Sequence, residues 1–180
     1  MSSLFLRPWR QSDAGALMAA YLGSPDLERQ LDARAGTPEG AVRVVRDDLG
    51  WDPRTACNLA LEVDGAVVGS VGISNINERH GTAWTYYWLA APSRGRGLAA
   101  RAVASLGNRA LADLRLHRLE LGHRTNNPAS CRVASAAGFK PEGIQRAKLR
   151  YGTERFDVET HARLATDPPP DVPLIDLLLP

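Results

Sequence analysis

The residues with the clearest chemistry are Arg94-Gly95-Arg96-Gly97-Leu98-Ala99-Ala100, set where a β-favouring run ends and a helical pattern begins. Upstream, Ala83-Trp84-Thr85-Tyr86-Tyr87-Trp88-Leu89 is aromatic and reads as a strand. Downstream, Leu98, Ala102, Leu106 and Leu111, with Ala99, Val103 and Ala110 beside them, recur at helical spacing. Two glycines one residue apart carry no Cβ atoms and let successive backbone N–H groups turn inward around an anion. A helix start adds unsatisfied donors and its positive dipole end, and Arg94 and Arg96 add full charges. The stretch predicts a phosphate-binding loop made mostly of backbone. The plain alternative is a glycine-rich turn into a helix.

Spacing narrows the phosphate. A P-loop needs a Lys followed by Ser or Thr after its second glycine, and no Lys follows Gly97. A dinucleotide loop needs a third small residue three positions after Gly97, where Ala100 stands; that reading is weakened without being excluded. A nucleotide-dependent enzyme therefore stays as one alternative, and it predicts ADP or NAD binding.

The elements that must hold this loop follow from the rest of the chain. Leu4-Phe5-Leu6-Arg7-Pro8-Trp9 is a short strand ended by proline, after which Ser12 or Asp13 can cap a helix carrying Leu17, Met18 and Tyr21 to about Gly23. Residues 24–36 are polar and irregular. Thr37-Pro38-Glu39 is a helix start, and the helix runs through Val42, Val45 and Leu49 to Gly50. Residues 57–63 and 66–76 flank Asp64-Gly65 as a hairpin, with Gly69 and Gly72 marking a bulge or a close backbone neighbour. The helix after the loop ends near Leu114, and 117–123 is an alternating strand; strand, helix, strand implies a parallel pair with a crossover. Asn127-Pro128-Ala129-Ser130 opens another helix, closed by Gly138, with Phe139 as the contact beyond its end. Residues 149–152 and 153–164 form a last hairpin. The proline-rich tail from Thr166 is expected to be flexible, with packing or partner binding of its apolar end, Leu174 to Leu179, as the alternative. The whole is an α/β (α+β) arrangement: a mixed sheet with helices on both faces.

Composition excludes several classes. A chain of 180 residues, 44% hydrophobic and 23% charged, suits a single domain, drawn as 1–165 with a tail at 166–180. A formal charge of +2 does not argue for nucleic acid. Of the 22 basic residues only Lys140 and Lys148 are lysine, an arginine bias that genome composition explains. Cys57 and Cys131 lack metal or redox spacing and read as buried thiols, so no metal is expected. No leader or long apolar run is visible, and a soluble cytoplasmic protein without membrane contacts is expected.

Six features in order carry a resemblance: Leu6-Arg7-Pro8-Trp9, Tyr87-Trp88-Leu89, Arg94 to Ala99, His117-Arg118-Leu119-Glu120, Asn127-x-x-Ser130 and Gly138-Phe139-x-x-Glu142-Gly143. Together these resemble the GNAT superfamily of N-acetyltransferases, in the branch of the ribosomal-protein alanine acetyltransferases (RimJ/RimL type). The loop matches that family's Arg/Gln-x-x-Gly-x-Gly/Ala pyrophosphate motif through Arg94, Gly97 and Ala99. The resemblance implies a mostly antiparallel, twisted central sheet with a V-shaped splay, and acetyl-CoA as co-substrate. It further implies that backbone near Trp88 and Leu89 pairs with the pantetheine arm, that the amides of Gly95, Arg96, Gly97, Leu98 and Ala99 hold the pyrophosphate, and that Asn127 hydrogen-bonds the pantetheine besides capping its helix.

By the same resemblance Ser130 is the candidate that protonates the departing thiolate, unless its hydroxyl only bonds back within its helix. The tyrosine that many members carry one turn on is missing, since Arg132-Val133-Ala134 stands there. A strand glutamate common in relatives aligns with Trp84. The base is left open between Glu120, Glu78, His80, His123 and a water chain, with Glu120 matching a glutamate of this branch. The acceptor is an amine: a protein N-terminus, a small metabolite or an antibiotic. Contacts to it would come from 24–51, including Trp51, from 77–81 and from the last hairpin. A non-catalytic acyl-CoA-binding or regulatory protein, or an enzyme for a longer acyl-CoA, remains the alternative; homodimers are common in the branch.

Overall fold

The computed structural model describes residues 3–179; Met1, Ser2 and Pro180, which the domain limits include, lie outside the described residues. Nine strands share one open sheet: β1 (Leu4–Pro8), β2 (Trp51–Asp52), β3 (Ala56–Val63), β4 (Ala66–Asn77), β5 (Thr82–Leu89), β6 (Arg118–Arg124), β7 (Lys140–Tyr151), β8 (Glu154–Leu164) and β9 (Asp176–Leu177). The order across the sheet is β7-β8-β6-β5-β4-β3-β1-β9, with β2 paired to β3. Only β5 with β6 and β1 with β9 run parallel. Four helices complete the described fold: α1 (Ala14–Gly23), α2 (Pro38–Asp47), α3 (Leu98–Asp113) and α4 (Pro128–Ala136).

The helices cover both faces, and the sheet's alternation decides which side chains meet them. On one face α3 and α4 bury Leu98, Val103, Leu106 and Ala134 against Leu59, Leu61, Val71, Ile73, Leu119 and Leu121. On the other, α1 and α2 gather Leu17, Ala20, Ala41, Val44 and Val45 around Trp88. Thr37 caps α2 by accepting from the Gly40 amide at 3.2 Å, and Pro38 takes the first turn. Val42, expected on the inner face of that helix, is exposed: with 41, 44 and 45 turned inward, 42 falls on the opposite side.

The hairpin around Asp64-Gly65 forms as expected, and the β3/β4 register slips between Leu61 and Glu62. Gly69 and Gly72 are close-approach positions, since a Cβ would come within 2.5 Å of Leu89 at the first and 2.6 Å of Tyr86 at the second.

Three expectations need correction. Strand β7 starts at Lys140 instead of about Leu149, because two register shifts interrupt the alternation a sequence reading looks for. The tail is packed: Ile175 is buried, β9 pairs with β1, and the Leu178 amide donates to the Leu6 carbonyl at 2.8 Å. Asp13 does not cap α1 with its side chain, because Arg7 takes it. No helix among the described residues is long and apolar enough to cross a membrane.

Arg7 is the main buried charge near the β1 end. It donates to both Asp13 oxygens at 2.8 and 3.0 Å and to Glu62 at 2.5 Å, tying β1 to β3 and to the start of α1. Burial opposes ionisation of Asp13, but the Arg7 hydrogen bonds and the Arg10 amide overcome it, leaving the carboxyl pKa below its ordinary value. Arg7→Ala strands that buried carboxylate and is expected to cost about 3 kcal/mol, a fall in Tm of roughly 6–12 °C by circular dichroism. A group with a depressed folded pKa stabilises above its unfolded value. The Asp13 contribution is therefore full above about pH 4 and lost as pH falls through the lowered folded value. The gap between wild type and Arg7→Ala should narrow below that pH.

Candidate active site

The site begins where two strands part. β5 and β6 pair only through Thr82–Arg118, Ala83–Leu119 and Trp84–Glu120. Beyond that, β5 continues paired to β4 as far as Leu89, while β6 continues paired to β8 as far as Arg124. The facing edges of 85–89 and 121–124 are thus not bonded to each other, and a V opens between them. Two buried hydroxyl oxygens on β5, Thr85 Oγ1 and Tyr87 Oη, have no hydrogen-bond partner. Buried polar groups are nearly always satisfied, so an unpaired strand edge with two orphan hydroxyls suits a ligand carrying amides.

Two clefts enter this wedge. The larger, of about 430 Å³, is lined by Tyr87, Trp88, Leu89, Arg94, Gly95, Gly97, Leu98, Ala99, Ala100, Asn127 and Ser130, among others. Its floor is the loop into α3. Gly95 and Gly97 have φ of +76° and +72°, the left-handed region glycine occupies without strain. Gly97 is the N-cap and offers no side chain; the first α3 bond runs from the Arg101 amide to the Gly97 carbonyl at 3.2 Å. The amides of Leu98, Ala99 and Ala100 therefore have no partner inside the helix and point to the cleft end.

The arginines behave less simply than their charges suggest. Arg94 lines the cleft but donates to the Leu89 carbonyl at 2.9 Å and pairs with Asp26 at 3.1 Å. Arg96 is exposed and is not among the lining residues. Trp88 borders the cleft while its ring packs against Trp9, at 6.1 Å between centroids, in the core on the α1/α2 face.

Asn127 and Ser130 are brought together at the start of α4. The Asn127 Oδ1 accepts from the Ser130 amide at 3.2 Å, and its Nδ2 donates to Ser130 Oγ at 3.0 Å. With its oxygen already accepting, the Ser130 hydroxyl keeps its own proton for another acceptor. Tyr87, which sequence reasoning missed as a functional group, stands beside it. Burial raises the Tyr87 hydroxyl pKa, and the neighbouring Ser130 offsets part of that rise without a hydrogen bond of standard geometry. The missed signal was position: Tyr87 lies on the strand edge that the loop follows.

The smaller cleft, of about 180 Å³, opens from the other side of the wedge and shares Tyr87, Asn127 and Ser130 with the first. Asp26, Arg29 and Gln30, Trp84 and Tyr86, His123 and Arg124, and Leu149 and Tyr151 also line it. Arg29 and Arg124 stack over Tyr151 at 5.3 and 5.6 Å. Of the regions expected to meet the acceptor, 24–51 and the last hairpin supply lining residues, whereas Trp51 and 77–81 line neither cleft. Trp51 instead packs on the sheet core beside Cys57.

Glu120 sits opposite Trp84 at the closed end of the V, outside both clefts, and accepts from Arg118 at 2.7 Å, which also binds Glu142. Glu78 and His80 are exposed on the 77–81 turn. His123 is buried on a cleft wall. The Cys57 thiol is buried, and burial first, with Asp52 adding, pushes its pKa up to about 11; Cys131 is half-buried instead of fully so.

The sequence profile of the acetyltransferase (GNAT) domain family matches residues 3–140. The chain belongs to that family. It is an acetyl-CoA-dependent N-acetyltransferase, and the mixed sheet with its splay is the family fold. The probable N-acetyltransferase YjcK of Bacillus subtilis is 34% identical over 173 residues, covering 92% of this chain and 96% of that one. Among solved structures, RimJ of Mycobacterium smegmatis in complex with a CoA disulfide aligns with a TM-score of 0.72 at 26% identity, covering 89% of this chain and 81% of that one. The ribosomal-protein α-N-acetyltransferase RimL in complex with coenzyme A aligns with a TM-score of 0.81 at 21% identity, over 90% and 94% of the two chains.

Gly97→Ala tests the loop. The left-handed backbone costs an alanine about 1 kcal/mol, and distortion of the amide cup should weaken CoA binding roughly 10-fold or more by calorimetry. Gly152→Ala carries the same kind of strain, at φ +59° in the last hairpin, and should leave CoA affinity unchanged.

Proposed function

We propose that the enzyme moves an acetyl group from acetyl-CoA to the α-amine of a protein N-terminus or to a small primary amine, in the manner of the RimJ/RimL type. The observation that carries this reading is the pair of clefts meeting at Tyr87, Asn127 and Ser130, one floored by free helix amides and the other walled by aromatic rings and arginines. The CoA pyrophosphate lies on the amides of Gly95, Arg96, Gly97, Leu98 and Ala99, and the pantetheine arm pairs with the free edge of β5 at Trp88 and Leu89. The second Nδ2 proton of Asn127 is free for a pantetheine carbonyl. Arg94 steadies the loop through Leu89 and Asp26, and the exposed Arg96 side chain meets the phosphates only at long range.

The amine enters through the smaller cleft and attacks the thioester carbonyl. Carbon–nitrogen bond formation pushes charge onto the carbonyl oxygen, which a β5 backbone amide receives. Collapse breaks the carbon–sulfur bond; the Ser130 hydroxyl protonates the leaving thiolate and regains a proton, through water, from the excess proton on the newly bonded nitrogen. Before attack, the ammonium form of the acceptor loses one proton to water in the open cleft. At neutral pH that step costs an α-amine, of pKa near 8, about 1 kcal/mol, whereas a lysine side chain would need a stronger base. Glu120, held in the Arg118 ion pair, belongs to the closed end of the wedge. Arg29 and Arg124 beside the acceptor path disfavour a polycationic antibiotic.

Release of CoA thiol from acetyl-CoA is the test, with a panel holding a free-N-terminus peptide, an N-terminally blocked lysine peptide, small primary amines and an aminoglycoside. Turnover on the first or third is expected; CoA binding without turnover on any amine would favour the non-catalytic reading. Ser130→Ala should lower kcat on the order of 10²-fold and change its pH profile. Unchanged turnover and an unchanged profile would remove Ser130 from proton transfer.

A further inference from the structure

Where α4 covers β6 and β8, four ligand-bearing side chains converge that line no part of the larger cleft, His123 alone reaching the smaller one, and the acetyl-transfer reading gives none of them a step. His123 on β6, Cys131 on α4 and Glu159 and His161 on β8 present one ligand atom each, all within 4.8 Å of one another. The register explains the meeting. His123 faces Glu159 directly across the β6/β8 ladder, and His161 faces Leu121 one pleat along, so all three side chains project to the face that α4 covers. Both imidazoles are buried, at 7% and 1% exposure, while Glu159 and Cys131 sit at the rim.

Hydrogen bonding alone accounts for this cluster poorly. His123 Nδ1 lies 3.0 Å from the Arg124 carbonyl, which can only accept, so Nδ1 carries a proton, and in the neutral ring Nε2 presents a lone pair. That lone pair faces His161 Nε2 at 3.0 Å and a Glu159 carboxylate oxygen at 3.3 Å, and the same oxygen lies 3.2 Å from His161 Nε2. Three acceptor-capable atoms form a triangle that one proton on His161 Nε2 can serve only in part. His161 Nδ1 has no partner, so neither nitrogen of that ring is committed elsewhere. Neighbouring donor atoms of a tetrahedral site with bonds near 2.0–2.1 Å are separated by about 3.3–3.4 Å. The triangle is close to one face of such a tetrahedron, and Cys131 supplies the fourth corner.

We propose that His123, Cys131, Glu159 and His161 form a closed structural site for a borderline-soft divalent cation of the zinc class. Two imidazole nitrogens, one thiolate and one carboxylate complete four-coordination and leave no open position, which marks a structural role. Binding releases the Cys131 thiol proton to solvent, moves the His161 proton from Nε2 to the free Nδ1, and puts in its former place a cation that all four ligands face. The ion staples α4 to β6 and β8. Ser130 precedes Cys131 in sequence, so the staple fixes the end of α4 that carries the hydroxyl next to the thioester path.

The test uses the full chain, purified under reducing conditions, stripped with a chelator and titrated with Co²⁺ and then Zn²⁺. One equivalent of Co²⁺ should give the intense ligand-field bands of tetrahedral geometry together with a thiolate-to-cobalt charge-transfer band. Zn²⁺ should displace it and raise the Tm. Cys131→Ser should abolish the charge-transfer band, and Cys57→Ser, at the other free thiol, should keep it. Loss of outer-sphere partners alone weakens metal sites about 10–100-fold, so Glu159→Gln should weaken Co²⁺ at least that much. That rim position lets the protein fold even where a variant at buried His161 does not. No saturable Co²⁺ binding, an octahedral spectrum without the thiolate band, or binding indifferent to Cys131→Ser and Glu159→Gln would overturn the site and leave the cluster as a proton shared between imidazoles.

Discussion

The constraint on which the rest depends is that β5 and β6 stay paired for only three residues. A strand edge inside a protein must give its N–H and C=O groups to something, because each buried group left unmet costs about 1–3 kcal/mol. Here the two strands are each held on their outer side along their full length, by β4 and by β8, so neither can shift to close the gap. The gap is therefore a fixed feature of the fold, shaped for a ligand that brings its own amides. Acetyl-CoA has a pantetheine arm of that kind, and in the reading proposed above the wedge turns an architectural irregularity into donor recognition.

Helices finish what the strands begin. α3 aims its unbonded first-turn amides at one end of the wedge, and glycine at its cap keeps that end clear of side chains. α4 borders the same wedge with Asn127 and Ser130, whose mutual hydrogen bonds spend the amide on orienting the hydroxyl. Much of the positive charge near the loop is already engaged, with Arg94 tied to Asp26 and Leu89. In the proposed reading, phosphate affinity thus falls mainly on backbone dipoles, which need no reorganisation when the ligand arrives.

Much of this was legible in the sequence, for physical reasons. The loop, the Asp64-Gly65 hairpin and the Asn127-Pro128 helix start are each fixed by residues that only a few backbone conformations accept, so local chemistry announces them. Glu120 could be located on its strand, but its distance from the clefts depends on where the V closes, a property of register and not of spacing. Tyr87 and Ser130 are 43 positions apart along the chain, and only the sheet brings them together. The part of β7 before Leu149 escaped detection because its register shifts break the period of two. The tail escaped because proline-rich composition suggests mobility, whereas Ile175 finds a place in the core and Ser105 accepts its amide at 2.8 Å. The His123, Cys131, Glu159 and His161 cluster lacks any motif spacing, since three separate elements contribute to it.

The claim at the centre is that the free edge of β5 and the start of α3 together receive the donor. Amide hydrogen exchange with and without CoA, resolved by peptide, measures it most directly. Protection confined to 86–89 and 95–100, with little change along the distant edge at β1 and β9, is the predicted result. Saturating CoA that leaves 86–89 exchanging as before would contradict the account, because it would mean that the open strand edge is not where the pantetheine binds.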